Sequence, residues 1–355
     1  MKKVLGILLA LVLVLAFSVP VMAVDTSVTV QSGGGNMPVV KCKWETPDND
    51  PIKAGTQINP PCVFDGTVQV KYFVVVTDVE DGGDVGQVWV DVSHPDDWPD
   101  PDTGKCGSFK YEVPLTRWVK STEAIKQTIL TQFTAADTAG LVTYAAGYDY
   151  DDVWNELDKC TADVWKGNAD LSYHQPAGNY TVEAFVIDQS GNQAGPLENP
   201  LEYVAASMIE IDFAGVDYGS TSICKEKWIS GDKEFGTGAA TVRNIGNTDV
   251  KLKISQNDMT FGHTVGDPTS YTGSTPPKPA QSNWNVVFDA RLGSNVDMGM
   301  YYDPLTTVTL PNKLYLCNTE ELDFSIHIKK ATAGTTHSGA MTITWERAAW
   351  DSCAA

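Results

Sequence analysis

The chain has 355 residues, and 25 Lys plus Arg against 45 Asp plus Glu give a formal net charge of −20. Nucleic-acid phosphates require clustered cations, so this balance argues against a nucleic-acid partner. A hydrophobic fraction of 42% with 10 Trp, 13 Tyr and 11 Phe can fill hydrophobic cores. The length predicts about two domains.

Residues 1–23 have the pattern of a secretory signal peptide. An aliphatic run from Val4 to Val14 follows two lysines, and Pro20 precedes the small-residue cleavage pattern Val21-Met22-Ala23. An uncleaved anchor and a pilin-type leader cut after Gly6 are the alternatives. We therefore expect a secreted, extracellular protein at the cell surface that has no membrane segment after cleavage.

The segment after the signal peptide is predicted to be a strand, because apolar and polar residues alternate and β-branched side chains are frequent. Its residues are Val24, Asp25, Thr26, Ser27, Val28, Thr29, Val30 and Gln31. The glycine-rich residues that follow, up to residue 36, form a hinge. Such a strand can pair within its own sheet or be donated to a neighbouring molecule, and the second option makes it a candidate assembly element.

Short strands dominate the first predicted domain, residues 37–205. Val68–Val76 and Gln87–Val92 flank the acidic, turn-rich segment Asp78–Asp84, and we predict that they form a hairpin-like unit. Asn179–Ile187 is predicted to be another strand.

A helical insert is predicted between these strands. Ser121 can cap a first helix in which Ile125, Ile129 and Phe133 share one face. A second helix is predicted from Tyr150 to Lys166, with Val153, Leu157 and Val164 on one face. We expect both apolar stripes to pack on the sandwich.

The segment Pro176–Asn192 contains a Pro-Ala-Gly-x-Tyr-x-Val strand that leads into an Asp-x-x-Gly-Asn turn. It resembles the late hairpin of Ig-like β-sandwich modules in prokaryotic surface proteins, and an archaeal source is expected. The resemblance implies an Ig-like fold and gives no information about activity.

The second predicted domain covers residues 206–345, and residues 346–355 form a C-terminal tail. Strands are predicted at Met208–Phe213, Ala239–Asn244, Val250–Ile254, Leu322–Ile328 and Met341–Trp345. The segment Thr241–Leu252 joins two of these strands through a Gly-Asn turn. It resembles the strand–N-x-G-N–strand hairpin of secreted β-sandwich proteins, including subunits of microbial biofilm fibres, and the Ser338–Ile343 ending is similar to theirs. Residues 262–283 are predicted to form a long exposed loop.

Export makes disulfides the default for the seven cysteines. The sequence does not fix the pairing, but the domain boundaries suggest Cys42–Cys62, Cys106–Cys160 and Cys224–Cys317. Cys353 is then left over, and an odd cysteine in a secreted chain indicates an intermolecular bridge or a reactive thiol. The alternative is that Cys353 pairs internally and another cysteine is free.

Calcium is the metal that the sequence favours. Asp96, Asp97, Asp100 and Asp102 place several carboxylate oxygens in one short loop, and the segments 78–84 and 149–152 are similarly acidic. None of the three fits the EF-hand pattern, and a solvated acidic turn is the alternative for each. Asn179-Tyr180-Thr181 satisfies the rule for N-glycosylation.

The sequence therefore predicts a mainly β protein with two tandem β-sandwich domains, Ig-like or jelly-roll-like, the first with a helical insert. Motifs of zinc proteases, serine hydrolases and P-loop enzymes are absent from the sequence. The leading functional hypothesis is a structural subunit of an extracellular fibre, sheath or surface layer that forms a homopolymer. A monomeric adhesin or carbohydrate binder, in contact with other surface proteins or polysaccharide, is the alternative. A secreted hydrolase is a third hypothesis.

Overall fold

A computed structural model describes residues 36–78, 84–94, 110–261, 285–293, 301–302 and 307–349. Within these ranges the protein is mainly β, with several sheets and two helices, which confirms the predicted β-sandwich-type fold class. The described residues all belong to one compact unit that starts at Gly35. The domain boundary predicted at residues 205–206 stays a prediction.

Eighteen strands and two helices are numbered here in chain order. The strands are β1 (Val39–Thr46), β2 (Thr56–Ile58), β3 (Thr67–Thr77), β4 (Val85–Ser93), β5 (Lys110–Arg117), β6 (Thr143–Tyr144), β7 (Asp163–Ser172), β8 (Gly178–Asp188), β9 (Gln193–Tyr203), β10 (Ile209–Ile211), β11 (Glu226–Ile229), β12 (Thr241–Asn244), β13 (Val250–Gln256), β14 (Val286–Leu292), β15 (Tyr301–Tyr302), β16 (Val308–Leu314), β17 (Thr319–Ile328) and β18 (Met341–Arg347). The helices are α1 (Glu123–Thr138) and α2 (Tyr150–Lys159).

The first nine strands form a sheet in the order β2-β9-β8-β4-β5-β7-β3-β1-β6. β5 pairs with β4 along most of its length and with β7 through its last two residues, Thr116 and Arg117. The sheet therefore changes direction at β5 and continues as a second layer. Val74 from one layer and Val182 from the other lie in the same buried cluster, so the two layers enclose the first hydrophobic core.

The predicted hairpin of Val68–Val76 and Gln87–Val92 is wrong. Both segments are strands, but β3 pairs with β1 and β7, whereas β4 pairs with β5 and β8. Each strand buries one face in the first core from its own layer. The chain therefore passes from one layer to the other between Asp78 and Asp84.

The two helices cover the outer face of the layer that contains β1 and β3. Ile129 and Phe133 of α1 share a buried cluster with Trp44 and Phe73 of the sheet, as the sequence predicts. Phe133 stacks on Tyr150 of α2, with ring centroids 5.4 Å apart. This layer of the sheet is consequently buried on both faces.

The ends of the helices differ from the sequence prediction. Thr122 rather than Ser121 caps α1, because the Thr122 hydroxyl accepts a hydrogen bond from the Ile125 amide. α2 ends at Lys159 instead of continuing to Lys166. Cys160 adopts a left-handed conformation with φ of 60°, which terminates the helix, and Val164 lies in β7.

The segment that resembles Ig-like modules forms β8 and the turn after it. The Tyr180 hydroxyl donates to the Pro176 carbonyl at 2.8 Å, so this buried ring is anchored to the start of the strand. Asp188 accepts hydrogen bonds from the Asn192 backbone and side-chain amides at 2.7 and 2.8 Å. The predicted strand and turn are both confirmed.

The remaining strands enclose a second hydrophobic core between two sheets. One sheet has the order β10-β12-β17-β14-β15, with β11 also paired to β17, and the other has the order β16-β13-β18. Val242, Leu252, Phe288 and Phe324 come from both sheets and lie in one buried cluster. The five strands predicted in residues 206–345 are all present.

The predicted hairpin across Thr241–Leu252 is wrong, because β12 and β13 lie in different sheets. The connection is a corner that the side chains of the buried Asn244 and Asn247 hold in place. Asn244 donates to the carbonyls of Thr248 and Leu314 at 2.8 and 3.3 Å. Gly246 is required at this corner, since a Cβ there would come within 2.3 Å of the Ala206 carbonyl oxygen.

Candidate functional site

The three-stranded sheet has two outer strands, β16 and β18, on either side of β13. An outer strand presents unpaired backbone amides and carbonyls, to which another strand can add. In the part of the chain that the structure describes, β18 pairs with β13 and with no other strand. We compare these two edges because they belong to one sheet and share the partner β13.

The two edges are built differently. β16 contains Pro311, and its register against β13 shifts between Lys251 and Lys253. Proline and irregular register both weaken an edge as a template for pairing. β18 pairs with β13 over seven consecutive residues without a shift and contains no proline. The edge of β18 is the regular one, and we name it the open edge.

The side chains of β18 alternate relative to the second core. Met341 and Ile343 are half-buried and pack against that core, whereas Thr342 and Thr344 are exposed. Trp345 is 37% exposed, and its indole nitrogen donates to the Ser207 carbonyl at 2.8 Å. A strand added at this edge would extend the cover of the second core.

The charges beside the open edge are partly neutralised. Glu346 of β18 forms an ion pair with Lys253 of β13. Exposed charges on an edge strand disfavour strand addition, and a charge that is paired with its neighbour does so less. The edge is therefore regular and free of proline, and of its two charged side chains Glu346 is paired with Lys253 whereas Arg347 is exposed at the end of the strand.

Ser207 belongs to the connector, residues 204–208, that joins β9 to β10. Asn247 is fully buried and donates to the Val204 carbonyl at 2.9 Å, while its side-chain oxygen accepts from the Ala206 amide at 2.7 Å. The Ala177 amide donates to the Asn247 carbonyl at 3.1 Å. One asparagine thus ties the first group of strands, the connector and the second group together.

Several residues predicted to be functional lie outside the described residues. These are the assembly segment Val24–Gln31, the calcium loop with Asp96, Asp97, Asp100 and Asp102, and the cysteines Cys106 and Cys353. Their predicted roles stay predictions.

The five described cysteines, Cys42, Cys62, Cys160, Cys224 and Cys317, are free thiols in the structure. The suggested pairs Cys42–Cys62 and Cys224–Cys317 are therefore not formed in it. Cys42 is fully buried between the sheet and the helices, and this burial raises the pKa of its thiol well above the ordinary value. The Cys317 thiol instead lies 3.5 Å from the Tyr173 hydroxyl.

The structure brings together three carboxylates, two from the predicted acidic segment 78–84 and one, Asp188, that the sequence analysis did not connect with it. Asp78 at the end of β3, Asp84 before β4 and Asp188 at the end of β8 place carboxylate oxygens within 4.8 Å of one another. Asp78 and Asp188 are buried. Three ionised carboxylates at this distance repel one another. A bound hard divalent cation such as Ca²⁺ would relieve this repulsion, because carboxylate oxygens are its preferred ligands.

The pKa of Asp188 lies below its ordinary value. Burial opposes ionisation of this carboxyl, but the hydrogen bonds from Asn192, Ser190 and Gly191 favour the charged form and outweigh it. Asp188 is therefore an anion at neutral pH. The sequence analysis missed Asp188, although its position offered a signal: Asp78 directly follows β3 and Asp188 is the last residue of β8, and both strands supply the first core.

Asn179, the predicted glycosylation acceptor, lies near the start of β8, where it pairs with Glu202 of β9. Its side chain is exposed. The structure therefore leaves the amide accessible, and its modification stays a prediction.

An aromatic pair lies on the outer face of the layer that contains β4 and β8. Trp89 and Phe185 are cross-strand neighbours whose rings stack with centroids 5.4 Å apart. Beside them Lys110 forms ion pairs with Asp91 at 2.8 Å and with Glu183 at 3.0 Å. Surface aromatic rings offer a large contact area to a ligand or partner, although cross-strand aromatic pairs also stabilise sheets.

Comparisons with known proteins give no family for this chain. No family model matches it, and no curated protein matches it. Among solved structures it is similar to the CsuC–CsuE chaperone–tip adhesion subunit complex of Acinetobacter baumannii, with 10% identity, coverage of 82% of this chain and 97% of that chain, and a TM-score of 0.27.

Two further solved structures are similar at the same low level. The chaperone–tip adhesin complex of CFA/I fimbriae has 7% identity, coverage of 87% and 84%, and a TM-score of 0.27. The CupB6 tip adhesin of Pseudomonas aeruginosa has 9% identity, coverage of 88% and 91%, and a TM-score of 0.23. At these scores the likeness carries no argument about this chain, and it gives no support for the expected archaeal source.

Neither described helix has the length and apolar content that spanning a bilayer requires.

Proposed function

We propose that this chain is a secreted structural protein that self-assembles into an extracellular fibre, sheath or surface layer. In this proposal residues 24–31 of one copy add as a strand to the open edge of the next copy. The observation that carries the proposal is the regular, proline-free edge of β18, which differs from the protected edge of β16 in the same sheet.

Three further features support the proposal. The alternating sequence of residues 24–31 suits a strand, and the glycines behind it supply reach. Asn247 ties the two groups of strands together, so that a load on one group is transmitted to the other. The high negative charge disfavours indiscriminate association, which leaves the specific edge as the point of contact.

The experiment compares two forms of the secreted protein by negative-stain electron microscopy. One form starts at Val24, and the other lacks residues 24–31. We expect filaments or sheets from the first and folded monomers from the second. Polymers of normal appearance from the truncated form would refute strand donation, and monomers from both forms under all conditions would refute self-assembly.

A monomeric binding module is the second candidate, and the outer-face pair of Trp89 and Phe185 favours it. Under this alternative the protein stays monomeric, and a polysaccharide ligand raises its thermal midpoint. Trp89→Ala would then abolish the shift, while Trp228→Ala, at a partly exposed tryptophan of β11, would leave it unchanged. Neither candidate assigns the chain a catalytic activity. The hydrolase hypothesis would be supported by substrate turnover that a single carboxylate or histidine substitution abolishes.

A further inference from the structure

Three polar side chains are buried inside the first hydrophobic core. Lys43 and Glu45 lie on β1 and are 0% and 1% exposed, and Asn199 lies on β9 and is 7% exposed. Leu201 and Tyr203, the next inward positions of β9, belong to the apolar cluster around them. β1 and β9 are not hydrogen-bonded neighbours, so these side chains meet across the interior between the two layers.

The three side chains form a closed ring of contacts. Lys43 Nζ donates to Glu45 Oε1 at 2.9 Å and contacts the side-chain oxygen of Asn199. Asn199 Nδ2 donates to Glu45 Oε2 at 2.7 Å. The Glu45 carboxyl thus bridges the amine nitrogen and the amide nitrogen, with one oxygen on each.

Burial strongly disfavours a separated ammonium and carboxylate in such a core. Desolvation lowers the pKa of Lys43, and the neighbouring Glu45 only partly offsets this. Transfer of one proton from Lys43 to Glu45 removes both charges. It produces a neutral amine, which is a nucleophile, and a neutral carboxylic acid, which is a proton donor.

The neutral amine then faces an amide carbonyl in a water-excluded site. Fixed juxtaposition of two reacting groups corresponds to effective concentrations of about 10⁵–10⁸ M, which compensates for the low reactivity of a carboxamide. The carboxylic acid lies against the amide nitrogen that would leave. Every group that an amide exchange requires is therefore present within hydrogen-bond reach.

We propose that Lys43 and Asn199 are joined by an intramolecular amide bond, and that Glu45 transfers the protons. Lys43 Nζ forms a bond to Asn199 Cγ, and the bond from Cγ to Nδ2 breaks. Glu45 takes a proton from the lysine amine through Oε1 and supplies one to the departing amide nitrogen through Oε2. Lys43 ammonium, Glu45 carboxylate and the Asn199 amide become a secondary amide, one molecule of ammonia and protonated Glu45, so that charge and atoms balance.

The bond would connect the first strand of the fold to the last strand of the first core, across 156 positions of the chain. It would prevent β1 and β9 from separating when the hydrogen bonds of the sheet open. The inference rests on the buried contacts alone and is independent of the proposed assembly.

Mass spectrometry of the full-length secreted protein tests the inference. We expect an intact mass lower by one ammonia than the sequence mass, and a branched peptide that links the segments containing Lys43 and Asn199 after proteolysis. An intact protein at its full sequence mass, with these two segments released as separate peptides, would overturn the proposal. Loss of ammonia that fragmentation places elsewhere would overturn it equally.

Variants separate the bond from the fold. Glu45→Gln keeps the side-chain shape and removes the proton transfer, so we expect its full sequence mass, a native circular-dichroism spectrum and a lower thermal midpoint. Lys43→Met should give the same result, and either change alone suffices if the other variant does not fold. Retention of the branched peptide in Glu45→Gln would refute the role of Glu45.

Lys41→Met is the matched control. Lys41 lies on the same strand and is also buried, but it pairs with Glu156 of α2 at 3.0 Å on the helix side of the sheet. This variant should keep the loss of ammonia. If Lys41→Met lost it while Lys43→Met retained it, the assignment to Lys43 would be wrong.

Discussion

The side-chain amide of Asn247 donates to the Val204 carbonyl at 2.9 Å and accepts from the Ala206 amide at 2.7 Å. This asparagine follows β12 in the second group of strands, and its two partners follow β9 in the first. The two groups of strands are therefore linked by the hydrogen bonds of one buried side chain as well as by the backbone.

Asn247→Ala should destabilise the protein by about 2 kcal/mol, because the substitution removes a fully buried side chain and two half-buried backbone groups, of Val204 and Ala206, lose their partners. Calorimetry should show a lower midpoint and a broader or split transition, since one of the links between the two cores is removed. Asn155→Ala, at an exposed position of α2, is the control and should change stability by less than about 0.5 kcal/mol. A single transition at the original midpoint would contradict the role of Asn247.

Thr344→Lys should reduce assembly at the open edge. A lysine on an edge strand disfavours the addition of another strand, and Thr344 is exposed, so that the fold should tolerate the change. The same substitution at exposed Thr309 of β16 is the matched control on the protected edge. Light scattering should show slower polymer growth for Thr344→Lys alone; equal rates for both variants would assign assembly to another surface.

Cys353→Ser should remove reducible dimers from a non-reducing gel if Cys353 is the intermolecular thiol that the sequence predicts. Cys160→Ser is the control, because Cys160 is an exposed thiol in the structure. Dimers that persist in Cys353→Ser and vanish in Cys160→Ser would reassign the bridge.

The depressed pKa of Asp188 predicts the direction of a pH effect. Its stabilising contribution is present above the pKa of the unfolded chain, about 3.9, and is lost as the pH falls through the lower folded value. The stability difference between the wild type and Asp188→Asn should therefore be larger at about pH 7 than at about pH 3. Urea unfolding measures this difference, with Asp170→Asn as an exposed control. A difference that grows at low pH would contradict the assigned direction.

Calcium addition should raise the thermal midpoint if the loop with Asp96, Asp97, Asp100 and Asp102 binds the ion, and a chelator should reverse the shift. Replacement of Asp100 and Asp102 by Asn should abolish the effect. A shift that survives this replacement and disappears in Asp78→Asn would move the ion to the three carboxylates at the ends of β3 and β8. Equal midpoints with and without calcium would refute the predicted metal.

The sequence predicted strands well and their partners poorly. Alternation in Asn179–Ile187 identified β8, because one face of that strand is buried and the other is not. Alternation contains no information about which strand lies next, so both predicted hairpins were wrong. The run from Tyr72 to Val76 does not alternate, because the helices cover the outer face of β3 and bury both of its sides.

The candidate sites depended on contacts that local patterns do not encode. Lys43 and Asn199 are 156 positions apart in the sequence, and their side chains meet only in the folded core. Asp78 likewise approaches Asp188 only once the two layers have packed. The end of α2 was missed because Cys160 adopts a left-handed conformation that is uncommon for residues other than glycine. Local periodicity thus established the elements, and the long-range packing established the sites.

The contrast between β16 and β18 has a consequence for any polymer built by strand donation. A subunit with one receptive edge and one protected edge gains a strand on a single side of that sheet, so successive subunits repeat head to tail. The resulting polymer has polarity: one terminus presents a vacant edge, and the opposite terminus presents an unused donor strand. Elongation and capping would then occur at chemically different termini and could be blocked separately.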